Sequence, residues 1–411
     1  MTSSVHSDNI YRSSDQNDDD SVRELINKGL APALDIPEER PPDTDDYTEH
    51  KPVSLAVLET LLNCDIDDAD LADLLLLCSQ HCSGEFPWSS PQHCDTAEKL
   101  LKKVKRRVRD LLSENDYMMF KNLLETLQPQ LEEFTRFPAS VASLCWLTSN
   151  IVSSDHGSVS ESSGPGPDIV ARLLPHALHW TDCWMPHYKV CGCTMIHHII
   201  SLSSAADLLF YGRAELLSQT LFTLLSHNHL QVVSAAGQPL VTLTHLTHHT
   251  DSPAVAGAGD TLVSELITRL ELSSDTGLRT EYCDLLLRSV SMLGVGVARW
   301  VTRISQVLVS QLEWSPALSV FRTVSHMAQV TPECVSREMV TLLPALIKYL
   351  YHVSHHDNSD QSLVTQAVET SVTVSRCDPH QAASLCHDLQ SLSVNNTFDL
   401  AVTTICDRIS C

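Results

Sequence analysis

Cysteine and histidine cluster in two places where metal chemistry could arise. Cys78, His81, Cys82, His93 and Cys94 share one segment, and Cys191, Cys193, His197 and His198 share another. Cys193 and His197 lie four residues apart, so on a helix both point the same way and could share a zinc ion. Structural zinc takes four ligands, commonly in paired CxxC units, whereas the spacings here are CxxxC and CxC. Such thiols and imidazoles fit small core side chains better than ligands. Further histidines, at 227 and 229, at 245, 248 and 249, and at 355 and 356, fall at the edges of helical patterns, and no HExxH pair occurs. No metal and no cofactor is expected.

Covalent and phosphoryl chemistry find less support. The sequence has no GxSxG elbow, no GxxxxGK[ST] loop and no HRD catalytic loop. Gly294 and Gly296 begin a GxGxxG pattern, but Arg299 stands where the third glycine belongs, so this reads as a turn between helices. No catalysis is expected from this chain. The sharpest charge feature is the run Lys99, Lys102, Lys103, Lys105, Arg106, Arg107 and Arg109. It is expected on one helix over 95–113, whose apolar face is Leu100, Leu101, Val104, Val108, Leu111 and Leu112. A nuclear-import signal, a phosphate-binding face, a docking patch for an acidic segment and a plain solvated face all fit it.

The elements that would position these residues are helical. Hydrophobic residues make up 43% of the 411 and aromatics only 5%, so Leu, Val, Ala and Ser must fill the interior, which favours helices packed on helices. Apolar residues recur at helical spacing in Leu55, Leu58, Leu61 and Leu62, then in Leu71, Leu74, Leu75 and Cys78. Similar stripes follow over 117–127, 141–151, 169–178, 188–202, 214–225, 230–246, 262–272, 278–293, 297–312, 317–330, 339–353, 363–374, 382–392 and 398–409. One such helix buries too little to offset the entropy of ordering it, so pairs must stack. The expected class is all-α: an irregular HEAT/armadillo-like α-solenoid of stacked antiparallel helix pairs.

Composition divides the chain into four stretches. Residues 1–50 carry thirteen acids against four Lys/Arg and read as an acidic, mostly disordered tail, with a short helix possible over 22–30. Residues 51–152 form an N-terminal helical region, 153–167 a flexible Ser/Gly/Pro loop, and 168–411 a C-terminal helical-repeat region. The formal charge of −24 argues against nucleic acid as a partner. The first twenty residues lack the pattern of a secretory signal, and no apolar run approaches a membrane span. A cytoplasmic and nuclear location is expected.

Residues 189–213 then resemble the Tti-two family. Lys189 and Gly192 match a K-x-x-G segment, His197-His198 a His pair before apolar residues, and Ala206, Asp207, Leu208, Leu209, Tyr211 and Arg213 an A-D-L-L-x-Y-x-R segment. Pro87-Trp88-Ser89-Ser90-Pro91 resembles the family's P-W-[ST]-x-P element, and Leu174-Pro175 lies upstream at a similar distance. Residues 183–187 depart from the family's more acidic lead-in. The resemblance implies a subunit of the TTT complex, with Tti-one and Tel-two as partners and Tti-one in direct contact. That complex acts with the Hsp-ninety chaperone and the R2TP co-chaperone to stabilise phosphatidylinositol-3-kinase-related kinases of the mTOR, ATM, ATR and DNA-PK class, hence DNA-damage signalling, telomere maintenance and growth control. Trp88, Lys189, Gly192, His197, His198, Asp207, Leu208, Tyr211 and Arg213 are then structural or partner-contact residues. A HEAT-type nuclear-transport or trafficking adaptor is the alternative.

Overall fold

The computed structural model describes residues 15–35, 40–82, 86–104, 106–152, 167–248, 257–314, 316–355, 360–390 and 396–410. Residues 1–14, Lys105 and residues 153–166, where a flexible loop is expected, lie outside them. The chain divides into two compact units, Met1–Ser204 and Ala205–Cys411.

The first unit holds α1 (Asp15–Gly29), α2 (His50–Leu61), α3 (Leu71–His81), α4 (Pro91–Lys103), α5 (Val108–Glu132), α6 (Pro138–Ile151), α7 (Pro167–Asp182) and α8 (Pro186–Leu202). Proline at the first turn starts α4, α6 and α8, where a missing N–H costs nothing and φ is already helical. Packing begins earlier than composition suggests. Val22 and Ile26 of α1 join Val57, Leu58, Leu61, Leu74 and Leu77 in one core. Leu34 and Tyr47 join Trp88, Ala139 and Ala142 in another. Residues 31–34 are tied down by backbone groups, Ala31 N donating to Gln80 Oε1 at 2.8 Å and Leu34 N to the Arg136 carbonyl at 2.8 Å. A few well-spaced apolar anchors therefore fix a segment whose acids dominate its composition. The unit boundary also differs from the expected break at 153–167. Helices α7 and α8 belong to the first unit because α8 packs on α6.

The second unit holds α9 (Ala205–Phe210), α10 (Arg213–Leu225), α11 (Leu230–His248), α12 (Ala258–Leu272), α13 (Thr276–Leu293), α14 (Val301–Trp314), α15 (Leu318–Val330), α16 (Pro332–Ser354), α17 (Gln361–Ser375), α18 (Pro379–Gln390) and α19 (Asn396–Ser410). Asp275 caps α13 by accepting from Leu278 N at 2.9 Å, and Asp360 caps α17 through Ser362 N at 2.9 Å. Neighbours in the chain pair off, α10 with α11, α12 with α13, α16 with α17 and α18 with α19. The pairs then stack in two layers. In one, α11, α13, α15, α17 and α19 each touch the next; in the other, α12, α14 and α16 do. No strand occurs among the described residues. This is the stacked helix-pair architecture the apolar periods predict.

One stretch, Thr276–Trp314, is apolar and long enough to cross a bilayer by composition alone, contrary to the sequence-based expectation. It is not one straight rod. The 3-10 turn Gly294–Trp300 separates α13 from α14, and Leu285, Leu286, Val290, Ile304 and Leu308 are buried against other helices.

Candidate functional site

The family-like residues divide between the two units. In the first, α7 and α8 make the closest helix pair, for a reason visible at Gly192. A Cβ there would stand 2.6 Å from Thr181 Cγ2, 2.8 Å from Thr181 N and 2.9 Å from the Ala177 carbonyl oxygen. Only a residue without a side chain lets the two backbones meet so closely. One turn earlier, Lys189 Nζ donates to the Thr181 carbonyl at 2.7 Å. It meets one of the carbonyls left over at the end of α7, where a cation also suits the helix dipole. Tyr188, Cys193, Ile196, Ile199 and Ile200 fill the core side of α8.

His197 and His198 are half-buried on α8 with ring centroids 6.4 Å apart. Burial, and then the neighbouring His197, bring the His198 pKa down to about 4. Among the described residues no group of three or more His, Cys, Asp or Glu side chains could hold a metal ion. Cys193 is wholly buried. The first cysteine cluster is likewise drawn into packing: Cys78 is buried, and Cys94 Sγ donates to the Cys82 carbonyl at 3.0 Å.

The remaining motif residues build the start of the second unit. Leu208 anchors the short α9 in the core, and Asp207 stands in its first turn. Gly212, at φ +66°, turns the chain from α9 into α10 through the left-handed region. That turn lets the Arg213 guanidinium lie 4.5 Å from the centre of the Tyr211 ring, a cation–π contact. Arg213 is 9% exposed, while Tyr211 is half exposed and Phe210 is 82% exposed. The Phe210 and Tyr211 rings meet edge to face at 5.0 Å. The result is an aromatic patch held from beneath by Leu208 and Arg213. Phe210 is a contact candidate that sequence reasoning passed over, although its place inside the L-x-Y-x-R segment was a signal for it.

Trp88 is structural in kind. Its Nε1 donates to the Gln80 carbonyl at 2.8 Å, in the last turn of α3, and its ring packs edge-on to Tyr47 at 5.7 Å and parallel to Phe86 at 4.8 Å. Beside it His81 and His93 stack at 5.0 Å. His93 Nε2 lies 3.0 Å from both Ser54 Oγ and the Lys51 carbonyl oxygen, and its Nδ1 lies 2.7 Å from Ser90 Oγ.

No family model matches the chain. The chain is similar to TELO2-interacting protein 2 of human, 25% identical over 334 residues that cover 74% of this chain and 63% of that protein. The mouse protein of the same name is 24% identical over 328 residues, covering 73% and 62%. The chain is consistent with a TELO2-interacting protein 2 family member. It spans about 63% of the length of the curated relatives it matches. Among solved structures, a Kap95:Nup1 complex aligns with TM-score 0.54 at 15% identity, covering 97% of this chain and 46% of that one. Importin beta aligns at 0.50 and 15%, covering 96% and 51%. These neighbours are HEAT/armadillo solenoids, and the chain shares that fold.

The basic run is not one helical face. Val104 takes an extended backbone (ψ 118°), and so does Arg107 (ψ 136°), so α4 ends at Lys103 and α5 begins at Val108. Val104 leaves the helix to pack against the core around Leu100 and Leu111. Lys102 pairs with Glu98 at 3.3 Å, Arg106 pairs with Glu114, and Lys103 Nζ donates to the carbonyls of Leu62 and Cys64 past the end of α2. Lys103 thus serves as a helix cap, while Lys99 and Lys102 share α4 with it, Arg106 and Arg107 lie between the helices and Arg109 is on α5.

The buried imidazoles set an acid limit on the first unit. Burial chiefly, with His93 and His50 adding and the Gly29 carbonyl opposing, brings the His81 pKa down to about 3. Burial also lowers His93 and His50. In the unfolded chain these groups take up protons near pH 6.5, while the folded state refuses them, so stability is full above that pH and falls as pH drops toward 3. Urea melts at pH 7 and pH 5 should differ by on the order of 2 kcal/mol from His81 alone. The His81→Gln variant should show a flatter profile across that window; an unchanged slope would mean that His81 is protonated in the fold.

Proposed function

We propose that this chain is a non-catalytic scaffold subunit of the TTT complex, with Tti-one and Tel-two as partners and Tti-one in direct contact. In that role it supports, with Hsp-ninety and R2TP, the folding and stability of phosphatidylinositol-3-kinase-related kinases in cytoplasm and nucleus. The observation that carries this reading is the similarity to TELO2-interacting protein 2 over 334 residues, a name that states an interaction with TELO2. A HEAT-like stack suits it, because such repeats present long helical ridges to other proteins. The Phe210–Tyr211 patch is the candidate contact, since exposed aromatics on a rigid support are favoured interface anchors.

Native purification followed by mass spectrometry of stoichiometric partners tests the reading. Tel-two and Tti-one should co-purify with the full chain. Recovery of importins or coat proteins in their place would overturn it.

A further inference from the structure

The chain carries 51 acids against 27 Lys/Arg, yet one groove on its second unit is lined by no acid at all. The groove has a volume of about 600 Å³ and runs between α13 and α15, bordered by Leu287, Arg288 and Ser291 on one side and Arg322, Ser325, His326 and Gln329 on the other. Arg322, Ser325, His326 and Gln329 follow the i, i+3, i+4, i+7 spacing of one face of α15, and Leu287, Arg288 and Ser291 lie within about one turn of α13, so the lining is fixed by two packed helices and not by a loop. Arg288 and Arg322 are exposed. Neither forms an ion pair among the described residues. Arg288 donates to Gln238 Oε1 of α11, a neutral partner, and the carboxyl of Glu281 on α13 feels its charge without forming an ion pair. His326 adds a buried Nε2 with no hydrogen-bond partner among the described residues. Ser325 is fixed through its 2.9 Å contact with Thr370 of α17, so α11 and α17 support the two lining helices from either side.

We infer that the α13–α15 groove docks a carboxylate-rich amphipathic helix of a partner protein, whose Glu or Asp side chains pair with Arg288 and Arg322 while its apolar side lies along Leu287. Charge complementarity decides the occupant. Two exposed guanidiniums that form no ion pair, on an otherwise acidic molecule, repel a basic partner and steer an acidic one into place. The lining runs along about one turn of α13 and two of α15, so one or two turns of a bound helix would lie against it. This inference stands on the second unit's own geometry and is independent of the TTT reading, so failure of one leaves the other intact.

The test is fluorescence anisotropy of the full chain with a fluorescein-labelled amphipathic peptide bearing Glu on one face and Leu on the other. Its Gln and phosphoserine analogues are titrated alongside. Saturable binding that weakens with salt is expected, with Arg288→Glu or Arg322→Glu each weakening it about ten-fold. Arg337→Glu, on the exposed side of α16, should bind as the parent does. If a charge-reversed variant melts early, Arg288→Gln and Arg322→Gln give the same reading, with a smaller loss expected. Absence of saturable binding, equal binding of the Gln peptide, an equal loss in Arg337→Glu, or a preference for the phosphoserine peptide would each overturn the inference.

Discussion

Trp88→Ala should lower the stability of the first unit by about 3–5 kcal/mol, the range for removing a buried tryptophan. Trp88 is 2% exposed and lies where Leu34, Tyr47, Ala139 and Ala142 converge. Removing the indole opens a cavity beneath the segment before α2 and orphans the Gln80 carbonyl that the indole N–H satisfies. The segment has few other anchors, so the loss should also release it. Circular dichroism in urea measures the first effect, and limited proteolysis between residues 30 and 47 measures the second. Trp88→Phe keeps most of the ring and forfeits the hydrogen bond, so its cost should be smaller, about 1–3 kcal/mol. A change within 1 kcal/mol for the alanine variant would show that the site collapses around the missing ring.

The helical fold was legible in the sequence because each helix carries its own signals. Pro91, Pro138, Pro186 and Pro332 open helices, Asp275 and Asp360 cap them, and the apolar stripes give their inner faces. Residues 15–34 were less legible, because composition averages over Val22, Ile26 and Leu34, while burial depends on where those three side chains land. The basic run misled for the opposite reason. Seven cations at helical spacing suggest one face, but Val104 gains more from the core than from continuing α4. A short helix at Asp207 was legible, but with Asp207 as its N-cap; six residues hold too little of a period to place the start, and Asp207 stands in the first turn of α9. Roles within the motif were also out of reach. Spacing shows that Lys189 and Gly192 share a helix, but not that both address Thr181 of its neighbour. The groove at Arg288 and Arg322 arises only when α13 and α15 pack, so no local pattern announces it.

Gly192→Val should cost about 3 kcal/mol or more, at the upper end of the penalty for overpacking a core. The sign is not obvious beforehand, because replacing glycine within a helix gains up to about 1 kcal/mol for alanine in intrinsic propensity. What decides it is the nature of the obstruction. Two of the three atoms nearest the new Cβ are backbone atoms of α7, at 2.8 and 2.9 Å, and backbone within a packed helix cannot turn aside as a side chain can. Helices α7 and α8 must therefore separate, which also pulls Lys189 from the Thr181 carbonyl. Gly192→Ala should still be net destabilising, by about 1–2 kcal/mol. Gly237 supplies the control. A Cβ there meets side-chain atoms alone, the two methyls and Cγ of Leu285, and a side chain can turn aside where backbone cannot, so Gly237→Ala should cost less than Gly192→Ala, about 1 kcal/mol. Urea midpoints for the three variants measure the difference. Equal costs at Gly192 and Gly237 would mean that α7 yields as readily as a leucine side chain, and that the K-x-x-G spacing is not there to bring the two helices together.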